Sequence, residues 1–220
     1  MAKVLLLYNA PVLPVDHPDA ESERDLLHTV DSVHAALLQH NHRVERLGLT
    51  DSPELLLTSV RSFEPDVVFN LFEGFGTHPA SEYHVAGLLN WLGVPYTGCP
   101  VEAMVLGRDK VRTKHLLRGA GLPTAEFIVV EDASNIGLPQ SWPVIVKPAG
   151  TDASIGIDQG SVVSDADGLR RQVKSVASRY GLPVLIETYL PGVEFNVGVI
   201  EKPELTILPI AEMVYTHRRA

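Results

Sequence analysis

Small and polar residues predominate in the segment Lys147-Pro148-Ala149-Gly150-Thr151-Asp152-Ala153-Ser154-Ile155-Gly156-Ile157, which follows an apolar run. The preceding run, Pro143 to Val146, predicts a buried strand that ends on the charge of Lys147. Backbone N–H groups without bulky neighbours can surround an anion, and Ser154 adds a hydroxyl. The pattern is not a Walker A loop, because the lysine precedes the glycines. Taken alone, the segment is either an anion-binding loop or a surface hairpin loop.

The N-terminal part alternates strands and helices. Strands are predicted at 3–8, 44–47 and 67–71, and helices at 53–63 and 80–92; between the first two strands an apolar face recurs at helical spacing, at Leu26, Leu27, Val30, Val33, His34, Leu37 and Leu38. This order predicts a parallel, doubly wound α/β sheet whose ligands lie beyond the carboxyl ends of the strands, in the loops after Tyr8 and Leu71. Pro95 and Gly98 punctuate the chain, and we place a domain boundary near Gly98.

A second sheet with both helices and strands is predicted beyond Gly98. The expected helices are 101–106, 110–119 and 165–180, the last with Leu169, Val173 and Val176 inward, and the expected strands are 126–130, 143–147, 161–163 and 183–187. Apolar residues then alternate from Phe195 to Ile200, and 205–210 could pair with them as an antiparallel neighbour.

Composition limits the class of protein. A formal charge of -9 and the lack of a segregated basic patch disfavour nucleic acid and anionic membranes as partners. The apolar run at the N-terminus is too short for a signal peptide or a spanning helix. The single cysteine, Cys99, is typical of a reducing compartment, so the cytoplasm is expected.

Charged residues near the ends of predicted elements are candidates for ligand contacts. Lys147 could pair with a phosphate, and so could Lys110 at the start of a basic helix. Arg112 and Lys114 on that helix are better interpreted as solvated charges. Glu187 ends a predicted strand and could accept from an adenine amino group, and Glu194 could take ribose hydroxyls; either could equally be an exposed turn residue.

An ordered set of motifs resembles the ATP-grasp superfamily, in the form found in D-alanyl-D-alanine ligases. The resemblance runs from about Lys3 to Glu212, and its motifs are Gly93-Val94-Pro95-Tyr96-Thr97-Gly98, Asp109-Lys110 with Thr113-Lys114, Gly121-Leu122-Pro123, Val144-Ile145-Val146-Lys147-Pro148, Ala153-Ser154-Ile155-Gly156, and Glu187 with Gly192-Val193-Glu194. It implies an N-terminal pre-ATP-grasp domain at 1–98, a central ATP-grasp subdomain at 99–186, and the start of a C-terminal subdomain at 187–220.

The resemblance also implies a reaction and the residues that serve it. ATP would phosphorylate a carboxylate to an acyl phosphate, which the amine of a second amino acid attacks, with Mg²⁺ bridging the phosphates. Lys110 and Lys147 would contact phosphates, Ser154 and Gly156 would belong to the loop over them, Glu187 with Leu190 would recognise adenine, and Glu194 would hold the ribose. The implied partners are small amino acids, the implied role is in peptidoglycan and the cell wall, and a homodimer is left open.

Departures from the family pattern concern the amino-acid pocket and the metal. Glu23 best matches the glutamate that binds the first amino acid's ammonium group, although it also suits an acidic first helical turn. Glu73 stands where the family usually has a His-Gly pair, and Ala153 replaces a serine. The family's magnesium ligands and its substrate-carboxylate arginine belong to later strands, so we expect a fragment rather than a natural truncation, with weak or absent ligase activity. A ligase for another amino-acid pair and a non-catalytic ATP-binding module stay as alternatives.

Overall fold

A computed structural model describes residues 1–11, 20–75, 80–151, 154–201 and 203–214, without the side chains of residues 20–25. The chain divides into two compact units, Met1–Arg108 and Asp109–Ala220. The division falls after Arg108, whereas the sequence places a domain boundary near Gly98. The domain limits inferred from the resemblance stay predictions.

The first unit is an α/β unit with a parallel three-stranded sheet. Its elements are β1 (Lys3–Asn9), α1 (Ala20–Gln39), β2 (Arg43–Leu49), α2 (Pro53–Phe63), β3 (Val67–Leu71), α3 (Ser81–Trp91) and α4 (Val101–Arg108). The three strands pair in parallel in the order β2-β1-β3, which confirms the predicted parallel sheet. The parallel direction is possible because helices connect the consecutive strands and let each run the same way.

The apolar faces predicted for this unit form its core. On α2 the buried residues are Leu56, Val60 and Phe63, and they pack with Leu5 and Leu7 of β1. The helix begins after Ser52, whose side chain caps the Glu54 amide. On α1 the predicted apolar face is wrong at its last position, because Leu38 is exposed near the end of the helix while Val30 is fully buried.

The carboxyl ends of β1 and β3 meet, as parallel pairing requires. Asn9 Nδ2 donates to the Gly74 carbonyl at 2.7 Å, and the Glu73 amide donates to Asn9 Oδ1 at 2.9 Å. The loops after Tyr8 and Leu71 are therefore joined at one sheet edge, where the sequence predicts ligands to gather.

The second unit is built on an antiparallel sheet. Its first elements are α5 (Lys110–Gly119), β4 (Phe127–Val130), β5 (Val144–Pro148), a 3₁₀ turn (Gln159–Ser161), β6 (Val162–Val163), α6 (Ala166–Tyr180) and β7 (Val184–Thr188). The strands lie in the order β4-β7-β5-β6, and each neighbouring pair is antiparallel. Helix α6 covers one face with the predicted residues Leu169, Val173 and Val176, all buried.

Two short ribbons complete the second unit. β8 (Glu194–Asn196) pairs with β11 (Ala211–Met213), and β9 (Val199–Ile200) pairs with β10 (Thr206–Ile207), antiparallel in both cases. The predicted antiparallel pairing of the last segments is thus confirmed for 206–207, while the partner of β8 lies beyond 205–210. The strands of both ribbons expose their apolar side chains. Among the residues described, no helix is long and apolar enough to span a membrane.

Candidate functional site

Lys147 and Glu187 lie on the same face of the second unit's sheet. In the antiparallel register of β5 and β7, Lys147 lies opposite Leu185 and Glu187 lies opposite Ile145, so the two charged residues are diagonal neighbours. Nζ of Lys147 is 2.8 Å from Oε2 of Glu187. Diagonal cross-strand neighbours are within reach of long side chains. The two residues therefore form a direct ion pair on this face of the sheet.

The strand alternation explains why these charges avoid the core. Val144 and Val146 alternate with Ile145 and Lys147 along β5, and the valines pack against α6. Because successive side chains of a strand point to opposite faces, the lysine is directed to the face that α6 does not cover. A one-residue slip in register would move Lys147 into the apolar core.

Helix α5 brings Lys110 to the loop that follows β5. Asp109 caps this helix by accepting from the Arg112 amide at 2.9 Å. The Lys110 amide donates to the Ala149 carbonyl at 3.2 Å, and its ammonium group donates to the Thr151 carbonyl. The first residue of α5 is therefore fixed to the beginning of the predicted anion-binding loop.

The far end of this loop turns tightly. Ser154 has a φ of 60° and is exposed, and its carbonyl accepts from the Ile157 amide at 3.0 Å. Gly156 has a φ of 80°, and a Cβ there would lie 2.6 Å from Pro148 Cγ and 2.9 Å from a ring carbon of Tyr180. Gly156 thus permits close packing beside Lys147. Ala153, a departure from the family pattern, lies outside the described residues.

Lys114 contradicts the sequence-based interpretation of a solvated charge. Only 8% of its side chain is exposed; Nζ donates to Thr124 Oγ1 at 2.7 Å and lies 3.4 Å from Glu187 Oε1. The helix turns its fifth residue toward the sheet, and Glu187 supplies a counter-charge there. The i,i+4 spacing from Lys110 is the signal that could have revealed a shared helix face. For Arg112 the prediction is confirmed, since 72% of its side chain is exposed.

Side chains of α5 pack on Phe127 and hold the helix against β4. The Arg118 guanidinium carbon lies 4.2 Å from the ring centroid, Lys114 Nζ lies 5.0 Å from it, and the His115 ring meets it edge-on at 5.2 Å. Cations over aromatic faces are attracted by the ring quadrupole. Arg118 also bridges the exposed carboxylate of Glu126 at 2.5 Å. These contacts hold Lys114 at the sheet.

The electrostatics of the cluster favour an anionic ligand. Burial lowers the pKa of Lys114 below its ordinary value of 10.5; the nearby Glu187 carboxylate raises it, and Lys147 and Arg118 lower it further. Lys114 and Lys147 both face one carboxylate, Glu187, so this ion cluster has two positive charges and one negative charge. That excess stands out in a chain whose formal charge is -9.

The remaining predicted site residues are Leu190, Glu194 and Glu23. Leu190 is 69% exposed just after β7, where the Thr188 and Tyr189 amides donate to the Glu126 and Pro143 carbonyls. Glu194 begins β8 opposite Met213 and is exposed. Glu23 lies in α1, but its side chain is outside the described residues.

A cleft near the end of β7 opens on the sheet face that carries Val144 and Ile186, opposite the face that carries the side chains of Lys147 and Glu187. The cleft is lined by Glu126, Ile128, Val144, Ile186, Glu187 and the loop 138–141. Within the described ranges, no three His, Cys, Asp or Glu side chains come together in a way that could hold a metal ion. The cluster of Lys114, Lys147 and Glu187 can bind an anion through its ammonium groups and accept a hydrogen bond through its carboxylate. The described side chains assign no protein ligand to a metal.

Comparisons with known proteins show what this chain is similar to. Residues 116–218 match the family model described as the D-ala D-ala ligase C-terminus. The chain is 34% identical over 192 residues to "Uncharacterized protein y4sG" of Sinorhizobium fredii, an alignment that covers 83% of this chain and 54% of that protein. It is 31% identical over 178 residues to a D-alanine–D-alanine ligase of Gluconobacter oxydans, covering 80% of this chain and 56% of the ligase. The chain thus spans about half the length of these relatives.

The fold has the same affiliation. The crystal structure of a D-alanine–D-alanine ligase from Bacillus anthracis complexed with ATP superposes with a TM-score of 0.73 at 19% identity, covering 98% of this chain and 67% of that one. The predicted fold class, a parallel α/β sheet followed by an α+β part of the ATP-grasp kind, is confirmed by this likeness. The chain is therefore D-alanine–D-alanine ligase-like in sequence and fold, and its residues 116–218 match the D-ala D-ala ligase C-terminal family.

Proposed function

We propose that this chain belongs to an ATP-dependent carboxylate-amine ligase that joins two amino acids through an acyl phosphate, with D-alanine as the leading substrate. The observation that carries the proposal is the cluster in which Lys147 pairs with Glu187 and Lys110 is fixed to the loop at Ala149 and Thr151. Its excess positive charge suits a polyphosphate, and its buried carboxylate suits a ligand that also donates a hydrogen bond.

The residues present fit ATP in an order that follows the sheet. Phosphates would lie against Lys110, Lys147 and the loop containing Ser154 and Gly156, where the start of α5 adds a partial positive charge. Adenine would lie at the end of β7, its amino group donating to Glu187. The Thr188 and Tyr189 amides already donate to carbonyl groups of this unit. Leu190 is therefore the next residue along the chain that could contact the base. Glu194 would hold the ribose.

The protein's contribution is positioning and charge neutralisation rather than a covalent nucleophile. ATP supplies the transferred phosphoryl group. The lysines would neutralise phosphate charge, Ser154 would lie near the transferred group, and Glu23 would bind the ammonium group of the first amino acid. We propose Mg²⁺ as the ion that accompanies the phosphates, and we assign it no residue because the described side chains do not fit a metal.

The wider role follows from the proposed product. A dipeptide of D-alanine would serve peptidoglycan synthesis for the cell wall, and the enzyme would act in the cytoplasm on free amino acids. A homodimer is a further part of the proposal, which sedimentation of the purified chain tests directly.

The nucleotide part is tested by calorimetric titration of ADP into wild type and Lys147→Met. Wild type is expected to bind, and the variant is expected to lose about tenfold or more in affinity, since a charge-assisted contact to phosphate is removed. Lys174→Met, on the exposed surface of α6, is the matched control. Equal binding by Lys147→Met and wild type would contradict the proposed phosphate contact.

The reaction part is tested separately by ADP release from ATP, with D-alanine and then other amino acids as substrates, in the 220-residue chain and in the product of its complete gene. Stimulation of ADP release by D-alanine supports D-alanine as the substrate. Stimulation by another pair of amino acids would identify that pair as the substrates instead. Binding of ATP without stimulation by any amino acid in the complete gene product favours the non-catalytic module.

A further inference from the structure

Lys114 is held in place by three contacts within the second unit. Thr124 Oγ1 accepts from its ammonium group at 2.7 Å, Glu187 Oε1 lies 3.4 Å away, and the ring of Phe127 lies beneath it. The side chain is nearly fully buried. Such anchoring keeps the ammonium beside one carboxylate oxygen, because its departure would leave a largely buried carboxylate with one counter-charge fewer.

Lys147 holds the other oxygen of the same carboxylate. Its Nζ is 2.8 Å from Oε2, and 19% of its side chain is exposed, against 8% for Lys114. Glu187 is therefore held by two lysines, one at each oxygen. The lysine at Oε2 ends a strand next to the predicted phosphate loop, and the lysine at Oε1 is tied to Thr124.

Among the residues that the structure describes, the ion pairs of Glu187 are with these two lysines. From α5 the groups on this side are Lys114, His115 and Arg118, from β5 Lys147, and before β4 Glu126. Arg118 bridges Glu126. A buried carboxylate that loses its last counter-charge favours the protonated form. If Lys147 turned to a phosphate, Lys114 would be the remaining partner of Glu187.

We propose that Lys114 is a positioning residue that keeps the Glu187 carboxylate paired and oriented while Lys147 is released to the nucleotide phosphates. The inference rests on the proposed function, since it assumes that adenine lies at Glu187 and phosphates lie at Lys147. Lys114 stays paired with Glu187, whereas Lys147 moves from Glu187 to a phosphate. An ionised Glu187 accepts from a 6-amino purine and repels a purine with a carbonyl oxygen there, so Lys114 also supports base selection.

The inference predicts how phosphate affinity depends on Lys114. With adenosine, Lys147 can stay on Glu187, so Lys114→Met has a small effect. With ADP, the variant forces a choice: Lys147 stays on Glu187 and the phosphates lose a contact, or it moves and Glu187 takes up a proton. The affinity advantage of ADP over adenosine is expected to shrink about tenfold, or proton uptake is expected to accompany ADP binding.

Calorimetry of the 220-residue chain with adenosine and ADP, in two buffers of different ionisation enthalpy, measures both quantities. Lys114→Arg is expected to restore the wild-type ratio without proton uptake, Lys174→Met is expected to match wild type, and Lys147→Met gives the full size of the phosphate contribution. Thr124→Val, which leaves the lysine in place, is expected to reduce the ratio a few-fold and serves if Lys114→Met does not fold.

The outcomes separate the inference from the proposed function. Equal losses of adenosine and ADP affinity in Lys114→Met, without proton uptake, indicate a merely structural lysine and overturn the inference alone. If Lys114→Met does not fold, an unchanged ratio in Thr124→Val overturns it. Failure of wild type to bind either compound overturns the nucleotide site and the inference together.

Discussion

Glu187 Oε2 lies 2.8 Å from Lys147 Nζ although the two residues are not directly opposite in the register of β5 and β7. The pair spans the diagonal of the sheet, and Lys114 approaches the second oxygen from α5. The carboxylate is nearly buried, with 11% of its side chain exposed. Its removal should therefore affect both stability and ligand binding.

Glu187→Gln should lower the free energy of unfolding by about 3 kcal/mol, because it leaves two largely buried ammonium groups without their counter-charge. Urea unfolding followed by circular dichroism measures the change. Glu126→Gln is the matched control: its side chain is 82% exposed, and the loss of its pair with Arg118 should cost at most about 1 kcal/mol. Equal effects of the two substitutions would show that the buried cluster does not stabilise the fold.

The pH dependence of stability should show the lowered pKa of Lys114. Between that folded-state pKa and the ordinary value of 10.5, the folded chain binds fewer protons than the unfolded chain. The free energy of unfolding therefore gains a contribution that rises with pH across this window, and below it the cost of burying the charge is fully present.

Comparison with Lys114→Met isolates this contribution. The difference in unfolding free energy, wild type minus variant, should increase in urea titrations as the pH approaches the ordinary lysine value of 10.5. Lys174→Met, whose lysine is exposed on α6, should give a difference that stays flat. A wild-type advantage that falls as pH rises would contradict the burial of a charged Lys114.

Gly156→Ala should destabilise the second unit by about 1–3 kcal/mol and weaken ADP binding, since a Cβ would collide with Pro148 and Tyr180 at a φ of 80°. Gly150→Ala in the same loop is the control, because an added Cβ there meets nothing within 4 Å. Its stability should change by no more than about 0.5 kcal/mol. Thermal unfolding and calorimetric titration with ADP measure the two effects; equal results for both glycines would remove the packing explanation.

Asp109→Ala should cost about 1 kcal/mol through loss of the cap on α5, and it should also weaken ADP binding because Lys110 follows the cap directly. Asp109→Asn keeps an acceptor for the Arg112 amide and should retain most of the stability. Urea unfolding of the two variants gives the comparison. A loss in Asp109→Asn as large as that in Asp109→Ala would point to the ion pair with Arg112 instead of the cap.

Local sequence patterns predicted much of the fold because their physical causes are local. Helical spacing identified the buried face of α6, and an apolar run before a lysine identified β5. The exposure of Leu38 and the pairing of β8 with 211–213 were not predictable in this way, since burial and strand partners depend on which distant segment packs there.

Lys114 shows the same limit at the site. Helical periodicity placed it one turn after Lys110, but a lysine on a polar helix is ordinarily solvated. Its burial depends on Thr124 and Glu187, which approach from other elements of the unit. Neither contact has a signature in the sequence around Lys114.

The sequence by itself determined the strand that ends at Lys147, the small residues of the loop after it, and the order of motifs that resembles the ATP-grasp superfamily. Only the tertiary structure decided that Lys147 and Lys114 share the carboxylate of Glu187. The reason is physical: alternation along a strand fixes which face a side chain takes, whereas the partner on that face is set by the register between strands and by the docking of α5 on Phe127.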